Sequence, residues 1–517
     1  MKGESLWSFL TKPAMLPLTK KFLGKEGTAL AGLSNKRPVF VRDENFELMR
    51  FSPHSLDRWT LRDATRGLVA TGGIGTGKSS GSGKKIASSF LKNGMGGLVL
   101  CVKTDEALEW EELISKVGRS KDLIRITANS PYGFNFLDWE QKRSHDSGGG
   151  IVTNITNFFM DVISVVDRSQ STKSDDGFWD RTLRELLSNT IIIASHLSDT
   201  LNIPTLLKVI QHAPQSVRII EGGEKSESYL SPLAAPHPFD VICDQARARC
   251  PHGKSREELE RSIKFFNQGF AALADKTRSI VVISFTSMAD PLLREPLLSL
   301  FCDTTVVSPE DCFAGKVIVI DIPVHSFQLV GRVANLIWKT AFKRACQQRI
   351  RPEVPVFFWI DECQYLVDPS DGAFQTTARS SLCCTVFLTQ TISNLYAEFG
   401  SQAKVDALMS CLQTKIFHQN GDYETNSWAS KTIQKLPMTV RSESSPKDVF
   451  FSGSVRKTVT ESTQWEDDVP GRVFLNLKSG GPENKFLVEG IVFFPGRKFS
   501  NGKPWMKAIF DQRKNYK

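Results

Sequence analysis

The segment "GGIGTGKSS", residues 72–80, holds Gly72, Gly77, Lys78 and Ser79 in the spacing G-x4-G-K-[ST]. Gly72, Gly73, Gly75 and Gly77 let successive backbone N–H groups converge on phosphate oxygens, and the partial positive charge of a helix N-terminus adds to them. Lys78 supplies a full charge and Ser79 a hydroxyl for Mg2+. Ile74, Thr76 and Ser80 complete a loop of the kind that cradles the phosphates of ATP. A second lysine unit, Gly83-Lys84-Lys85, fails the pattern. No glycine stands five residues before Gly83, and Lys85 replaces the hydroxyl. Gly81 and Gly83 each cost about 1 kcal/mol of helix propensity against alanine, which implies that another element packs close to the helix start.

Such a loop needs an acid at the end of a neighbouring strand, and "PVFFWIDECQ" provides Asp361 and Glu362 after an apolar run. Asp361 is suited to holding the metal, and Glu362 to accepting a proton from the water that attacks in line. Gln390 closes the next apolar run, "VFLTQ". From a strand tip it can reach a γ-phosphate, and the alternative is a plain strand cap. Arg379 precedes that run. It is either a finger completing a neighbouring subunit's site or a solvated arginine.

The elements that must position these groups read as a parallel α/β sheet. "GLVA" leads into the glycine loop, and "GGLVLCV", "DLIRITA", "KVIVIDIP", "PVFFWIDE" and "CTVFLTQ" are short, continuously apolar strands. "GRVFLNL" and "KFLVEGIVFF" are expected to pair as an antiparallel edge. From about 150 to 300 the pattern turns helical, as in "GFWDRTLRELLSNTIIIASHL". The predicted organisation is an N-terminal lead over 1–65, a discontinuous P-loop (RecA-like) domain over 66–165 and 306–496, an inserted all-α domain over 166–305, and a basic tail over 497–517. The Ser/Thr-rich stretch 440–466 reads as a long loop or hairpin. Its Arg441, Lys447, Arg456 and Lys457 are candidates for gripping DNA phosphates, with Phe450 and Phe451 available to stack; the alternative is a solvated surface loop.

With 517 residues the chain is long for one core, and its formal charge of +9 is compatible with an anionic partner. Ten scattered cysteines read as reduced thiols of a cytoplasmic protein. His237, Cys243, Cys250 and His252 lack the tight pairs of a zinc site, so a helix with buried thiols is the expected reading. No apolar stretch approaches the roughly 20 residues a spanning helix needs. The expectation is no direct membrane insertion.

Taken together, "GGIGTGKSSG", "GGLVLCVKTDEALEW", "FNFLD", "GKVIVIDIPV", "FFWIDECQYL" and "TVFLTQTISNLY" resemble, in order, the coupling ATPases of type IV secretion (TraG/TraD type) within the FtsK/HerA group of DNA motors. The resemblance runs from about Arg66 to Phe494. It implies a homo-hexameric ring that hydrolyses ATP with Mg2+ and moves DNA. Lys78, Ser79, Asp361, Glu362 and Gln390 fall on the family's nucleotide-site positions, and Arg379 on its finger position. It further implies an all-α domain that meets a relaxase or other secreted substrate. Most family members carry N-terminal spanning helices and this sequence shows no such run, so the expectation is a cytoplasmic protein, with docking at the inner membrane on a separate channel subunit left open. Cys363 stands where an aromatic often follows the acids. Two other readings stay open: an adaptor that uses nucleotide as a switch, and a related DNA packaging or defence motor.

Overall fold

The computed structural model describes residues 44–143, 150–167, 176–217, 236–444 and 458–514. Thirteen strands occur among them. In chain order they are β1 (Glu47–Arg50), β2 (Arg58–Thr60), β3 (Leu68–Thr71), β4 (Gly96–Leu100), β5 (Leu123–Thr127), β6 (Val317–Asp321), β7 (Val356–Ile360), β8 (Cys383–Thr389), β9 (Thr414–Phe417), β10 (Lys435–Ser444), β11 (Thr458–Asp467), β12 (Leu487–Phe493) and β13 (Trp505–Asp511). Nine form one sheet in the order β13-β12-β9-β3-β8-β7-β4-β6-β5. From β9 to β5 every pairing is parallel, while β12 and β13 run antiparallel at one edge. The expected α/β fold with a mostly parallel sheet is the one observed.

Continuous apolar runs become central strands because both faces of the sheet are covered. On one face the helices Lys84–Lys92 and Glu106–Lys116 bury Phe90, Trp110 and Ile114 against Val99, Phe357 and Leu388. Phe357 stacks between Phe90 and Trp110, with ring centroids 5.5 and 5.6 Å away. On the other face the helix Val324–Gln347 and the helices after β5 enclose Leu98, Ile318 and Phe358. Between β5 and β6 the described residues contain no strand. Even the β-branched run of Asp275–Ala289 is helical, because Val281, Phe285 and Ala289 recur every four residues and bury one face.

Several expectations change at the sheet's antiparallel edge. "GRVFLNL" is no strand: Gly471–Leu475 is a helical turn that follows Pro470 and buries Phe474. The true partner of β12 is β13, paired from Leu487↔Asp511 to Phe493↔Trp505. The residues read as a basic tail therefore contain an edge strand. Its Met506, Ala508 and Phe510 point inward while Lys507 and Ile509 point out, the period-two pattern of a half-buried strand. Four-residue β9 was not foreseen; Lys415 interrupts its apolar character, yet this lysine is buried and donates to the Leu412 carbonyl at 2.6 Å. Of the two readings of 440–466, long loop or hairpin, the pairing favours the hairpin: residues 435–444 and 458–467 run antiparallel, in register from Lys435↔Asp467 to Ser444↔Thr458.

Candidate functional site

β3 ends beside the C-terminal tips of β8 and β9, and those two tips hold the glycine loop. The Gly72 N–H donates to the Thr389 carbonyl (3.3 Å) and the Gly73 N–H to the Gln419 carbonyl (2.9 Å). Two loop glycines are left-handed, for different reasons. Gly75 has a φ of +73° and a Cβ there would meet open space, so only its backbone conformation calls for glycine. Gly77 has a φ of +80°, and a Cβ there would also lie 2.3 Å from a methyl of Val488 on β12. The next turn, Lys78–Gly83, is a wide π-type turn in which Lys84 N–H reaches the Ser79 carbonyl. Regular helix begins only at Lys84. Such turns recur at functional sites. Gly81 also meets Val488, with a Cβ placed 3.0 Å from that residue's own. Gly83 faces Leu388 of β8 and Trp359 of β7. The close neighbour that Gly81 implies is thus β12, and for Gly83 it is first the Lys78 carbonyl of its own wide turn, 3.1 Å from a Cβ there, with the β7–β8 surface in ordinary contact beyond it.

Behind the loop stands His418, which the sequence did not bring to notice. It is buried at the end of β9, with Nδ1 2.9 Å from the Glu489 carbonyl and Nε2 2.7 Å from Ser82 Oγ. Burial, opposed by the Glu489 carbonyl and assisted by nearby Lys78, pushes its pKa down to about 4. The ring is therefore neutral near pH 7. A carbonyl only accepts, so Nδ1 carries the proton and Nε2 accepts from the Ser82 hydroxyl. This bond ties the wide turn to β9 and β12. On the same side, Gln512 just beyond β13 donates to Ser80 Oγ at 2.7 Å.

β7 delivers the acids next to the loop lysine. Lys78 Nζ, nearly buried, lies 3.4 Å from Glu362 Oε1 and 3.8 Å from Asp361 Oδ1. Ser79 Oγ donates to Asp361 Oδ2 at 2.6 Å. Glu362 has a left-handed backbone, φ 48° and ψ 50°, a conformation that costs a side-chain-bearing residue about 1–2 kcal/mol. Its N–H donates to Asp361 Oδ1 at 2.8 Å, and Gln364 Nε2 donates to Glu362 Oε2 at 3.0 Å. Thr389 in turn fixes Gln364 through Oε1 at 2.9 Å. Burial alone would raise the Glu362 pKa. Lys78 beside it, with hydrogen bonds from Lys103 and Gln364, outweighs burial and holds it down to about 2.

Lys103 follows β4, the strand beside β7. Its Nζ reaches Glu362 Oε1 at 2.8 Å and Asp361 Oδ2 at 3.3 Å. Burial opposes its charge, but the two carboxylates prevail and keep its pKa above the ordinary lysine value. Three residues on, buried Glu106 accepts the Val102 and Lys103 N–H groups through Oε2, at 2.9 and 3.3 Å. Its Oε1 has no hydrogen-bond partner. Burial, then the Asp361 charge, pushes its carboxyl well above the usual range. Both residues occur in the segment "VKTDEALEW". The clue was a charged residue immediately after an apolar strand, the same one that pointed to Asp361.

The loop from Gly73 to Ser80, with Ile74, Gly75 and Thr76 among its lining residues, shares one cavity of about 290 Å³ with both acids, Lys103, Glu106 and Gln390. Gln390 is held at its own carbonyl by Asn420 Nδ2, at 2.8 Å. Arg379 is not part of this cavity. It precedes β8 at the opposite end of the sheet, where Nη2 pairs with Glu44 at 2.9 Å. The seven residues of β8 separate the two places by roughly 20 Å. Arg441 is exposed on the hairpin, 3.8 Å from Glu461. Lys447, Phe450, Phe451, Arg456 and Lys457 lie outside the described residues. Cys243 is buried in the core and His237 caps the helix Pro238–Arg249; among the described residues no group of three or more His, Cys, Asp or Glu side chains is placed to hold a metal ion.

A strand, a glycine loop, a helix-opening lysine and an acidic strand tip define the P-loop α/β class. Within it, residues 355–469, from β7 through β11, match the family described as the TraM recognition site of TraD and TraG. Solved structures with the same fold include the unbound monoclinic form of the bacterial conjugative coupling protein TrwBdeltaN70. It is 15% identical, with a TM-score of 0.58, over 89% of this chain and 87% of that one. The plasmid coupling protein TrwB in complex with ADP and Mg2+ is also 15% identical, with a TM-score of 0.55, over 89% and 88% of the two chains. Its complex with the non-hydrolysable ATP analogue ADPNP is 17% identical, with a TM-score of 0.54, over 88% of each chain. No curated protein matches the sequence. The resemblance to the type IV coupling proteins thus extends from short motifs to a matched domain and to the fold.

Proposed function

We propose that this chain is a coupling ATPase of the type IV secretion kind, which binds ATP with Mg2+, hydrolyses it, and uses the energy to move DNA or a DNA–protein substrate. The observation that carries this reading is the convergence of Lys78, Ser79, Asp361 and Glu362 on one cavity. The residues fit the ligands. A nearly buried ammonium faces the cavity with carboxylates as counter-charges, and a hydroxyl–carboxylate pair of hard oxygens suits magnesium. Solved TrwB structures holding ADP and Mg2+ or an ATP analogue support the same ligands.

Lys78 would bind the β- and γ-phosphates together with the amides of 73–79. Ser79 and Asp361 would hold magnesium, which when bound neutralises charge on the phosphate oxygens. Glu362 orients the attacking water and accepts its proton. While Lys78 rests on Glu362 that carboxylate is a weak base. Transfer of Lys78 to a phosphate removes its main counter-charge and strengthens it. Gln364 keeps the carboxylate aimed, and Gln390 is placed to follow the γ-phosphate. Arg379, remote from its own chain's site, would act in a neighbouring subunit of a homo-hexamer.

The sheet domain, over 66–165 and from 306 through the edge strand that ends at Asp511, is the proposed motor domain, and the helical 166–305 the part that receives a relaxase or other substrate. The match of 355–469 to a TraM recognition site supports a relaxosome-type protein partner. Among the described residues no helix is long and apolar enough to cross a membrane; a separate channel subunit at the inner membrane is part of the proposal. Displacement of a protein roadblock from DNA under ATP tests the motor. ATP-dependent displacement supports it; partner capture without displacement would mark a nucleotide-switched adaptor instead.

A further inference from the structure

Lys103 has no part in the glycine-loop motif, yet it makes the shortest ion pair with the acid duo, 2.8 Å to Glu362 against 3.4 Å for Lys78. It also reaches Asp361 Oδ2, the same oxygen that accepts the Ser79 hydroxyl. A lysine ammonium therefore occupies the outer side of the pair proposed to hold magnesium. About a third of the Lys103 side chain is exposed, at 34%, whereas the acids are buried. It is the one cation of the group with room to move. A second anchor lies within the same cavity: Glu106, 4% exposed, with a buried Oε1 that has no partner. Its other oxygen is locked onto the backbone of Val102 and Lys103, so the free oxygen stays fixed next to the base of the lysine.

We infer that Lys103 is a positioning residue with two seats: it covers Asp361 and Glu362 when no metal is bound, and swings to Glu106 when magnesium and nucleotide arrive. Two buried carboxylates with Lys78 as their sole cation would carry a net negative charge that burial makes costly. Lys103 supplies the second positive charge. Magnesium needs the same oxygens, so it must displace the ammonium, and the unpartnered oxygen of Glu106 receives it. The displaced ammonium thereby keeps a carboxylate partner, and the Glu106 oxygen gains one. Metal affinity is then set by exchange against a built-in cation, which lowers affinity for free magnesium and favours the metal arriving with nucleotide.

This inference rests on the nucleotide-site reading, and its test separates the two. Mg2+ binding to the full-length, nucleotide-free protein is measured by calorimetry, and ADP binding is measured with fluorescent ADP in EDTA and in Mg2+. Lys103→Met should bind free Mg2+ on the order of tenfold more tightly than wild type, the loss of one competing ion pair worth about 1.4 kcal/mol. Its melting temperature should fall in EDTA and recover with MgCl2 more than wild type does. Glu106→Gln keeps an acceptor for the backbone but removes the second seat's charge. It should weaken ADP binding in Mg2+ while leaving binding in EDTA unchanged. Lys103→Met titrating like wild type, or more weakly, would overturn the exchange. So would Glu106→Gln losing affinity equally with and without metal. Wild type failing to bind ADP under either condition would instead refute the nucleotide site itself.

Discussion

Gly77 is the position where the glycine loop is most exposed to challenge. An alanine there would have to hold φ near +80° and place its Cβ 2.3 Å from one Val488 methyl and 3.0 Å from the other. The left-handed backbone costs about 1–2 kcal/mol, and forcing a methyl into a filled space costs about 1–3 kcal/mol. Together Gly77→Ala should destabilise by about 3 kcal/mol, a fall in melting temperature of about 3 °C for a chain of this size. The two contributions separate in a double-mutant cycle. Val488→Ala alone loses about 1.5 kcal/mol of buried methyl surface, but in the Gly77→Ala background it removes both short contacts. The pair should therefore show a coupling of about 1–3 kcal/mol, while the backbone cost persists. Gly75→Ala is the internal control, because it carries the backbone cost at φ +73° with no neighbour to clash, and Val488→Ala should not relieve it. The assay is thermal melting of these proteins, with fluorescent ADP binding to report whether the loop regains its shape. A Gly77–Val488 coupling near zero would refute the claim that β12 sets the close approach at the loop.

Three further outcomes follow from the site. The Glu362 carboxyl, at about 2 in the folded chain against an ordinary 4.5, stabilises the fold above about pH 5 and loses that contribution as pH falls toward 2. By linkage the stability difference between wild type and Glu362→Gln should shrink by about 2 kcal/mol between pH 7 and pH 3; urea midpoints that keep a constant gap would contradict it. His418→Ala removes the bond that ties Ser82 to β9, leaving the hydroxyl only the Lys78 carbonyl 3.2 Å away, and opens a cavity behind the loop, so it should cost about 1–3 kcal/mol and weaken ADP binding, whereas His418→Gln should recover part of the loss. Mixed rings of Arg379→Ala and Lys78→Ala subunits should regain some ATP turnover if the arginine acts between neighbours. Assembled mixed rings without any recovery would return Arg379 to its pairing with Glu44.

Much of the fold was legible because a buried parallel strand is written as an unbroken apolar run, as in β4, β6, β7 and β8. The edge was harder. β9 carries Lys415, a residue that argues against a central strand until its ammonium is seen to bond back to Leu412. Val473, Phe474 and Leu475 have strand-forming character, but after Pro470 the segment turns as a short helix that buries Phe474, so tertiary packing overrides local propensity. At the site, Lys78, Asp361 and Glu362 announce themselves by spacing. Lys103, Glu106 and His418 do not. Lys103 and His418 act on residues far away in sequence, and their roles depend on β4 lying beside β7 and β9 beside β3; Glu106 bonds locally to Val102 and Lys103, and only its burial in the site cavity marks it out. Gly81 and Gly83 lie between these cases. The missing side chains foretold a close neighbour; the sheet order names Val488 for Gly81, and the wide turn itself supplies the Lys78 carbonyl for Gly83.

The most direct measurement of the central claim is phosphate release from ATP by the purified full-length protein, with and without DNA. The account predicts magnesium-dependent turnover that DNA stimulates, abolished in Lys78→Ala and in Glu362→Gln. Turnover that survives in either variant, or a wild type that binds ATP but releases no phosphate with DNA present, would contradict it.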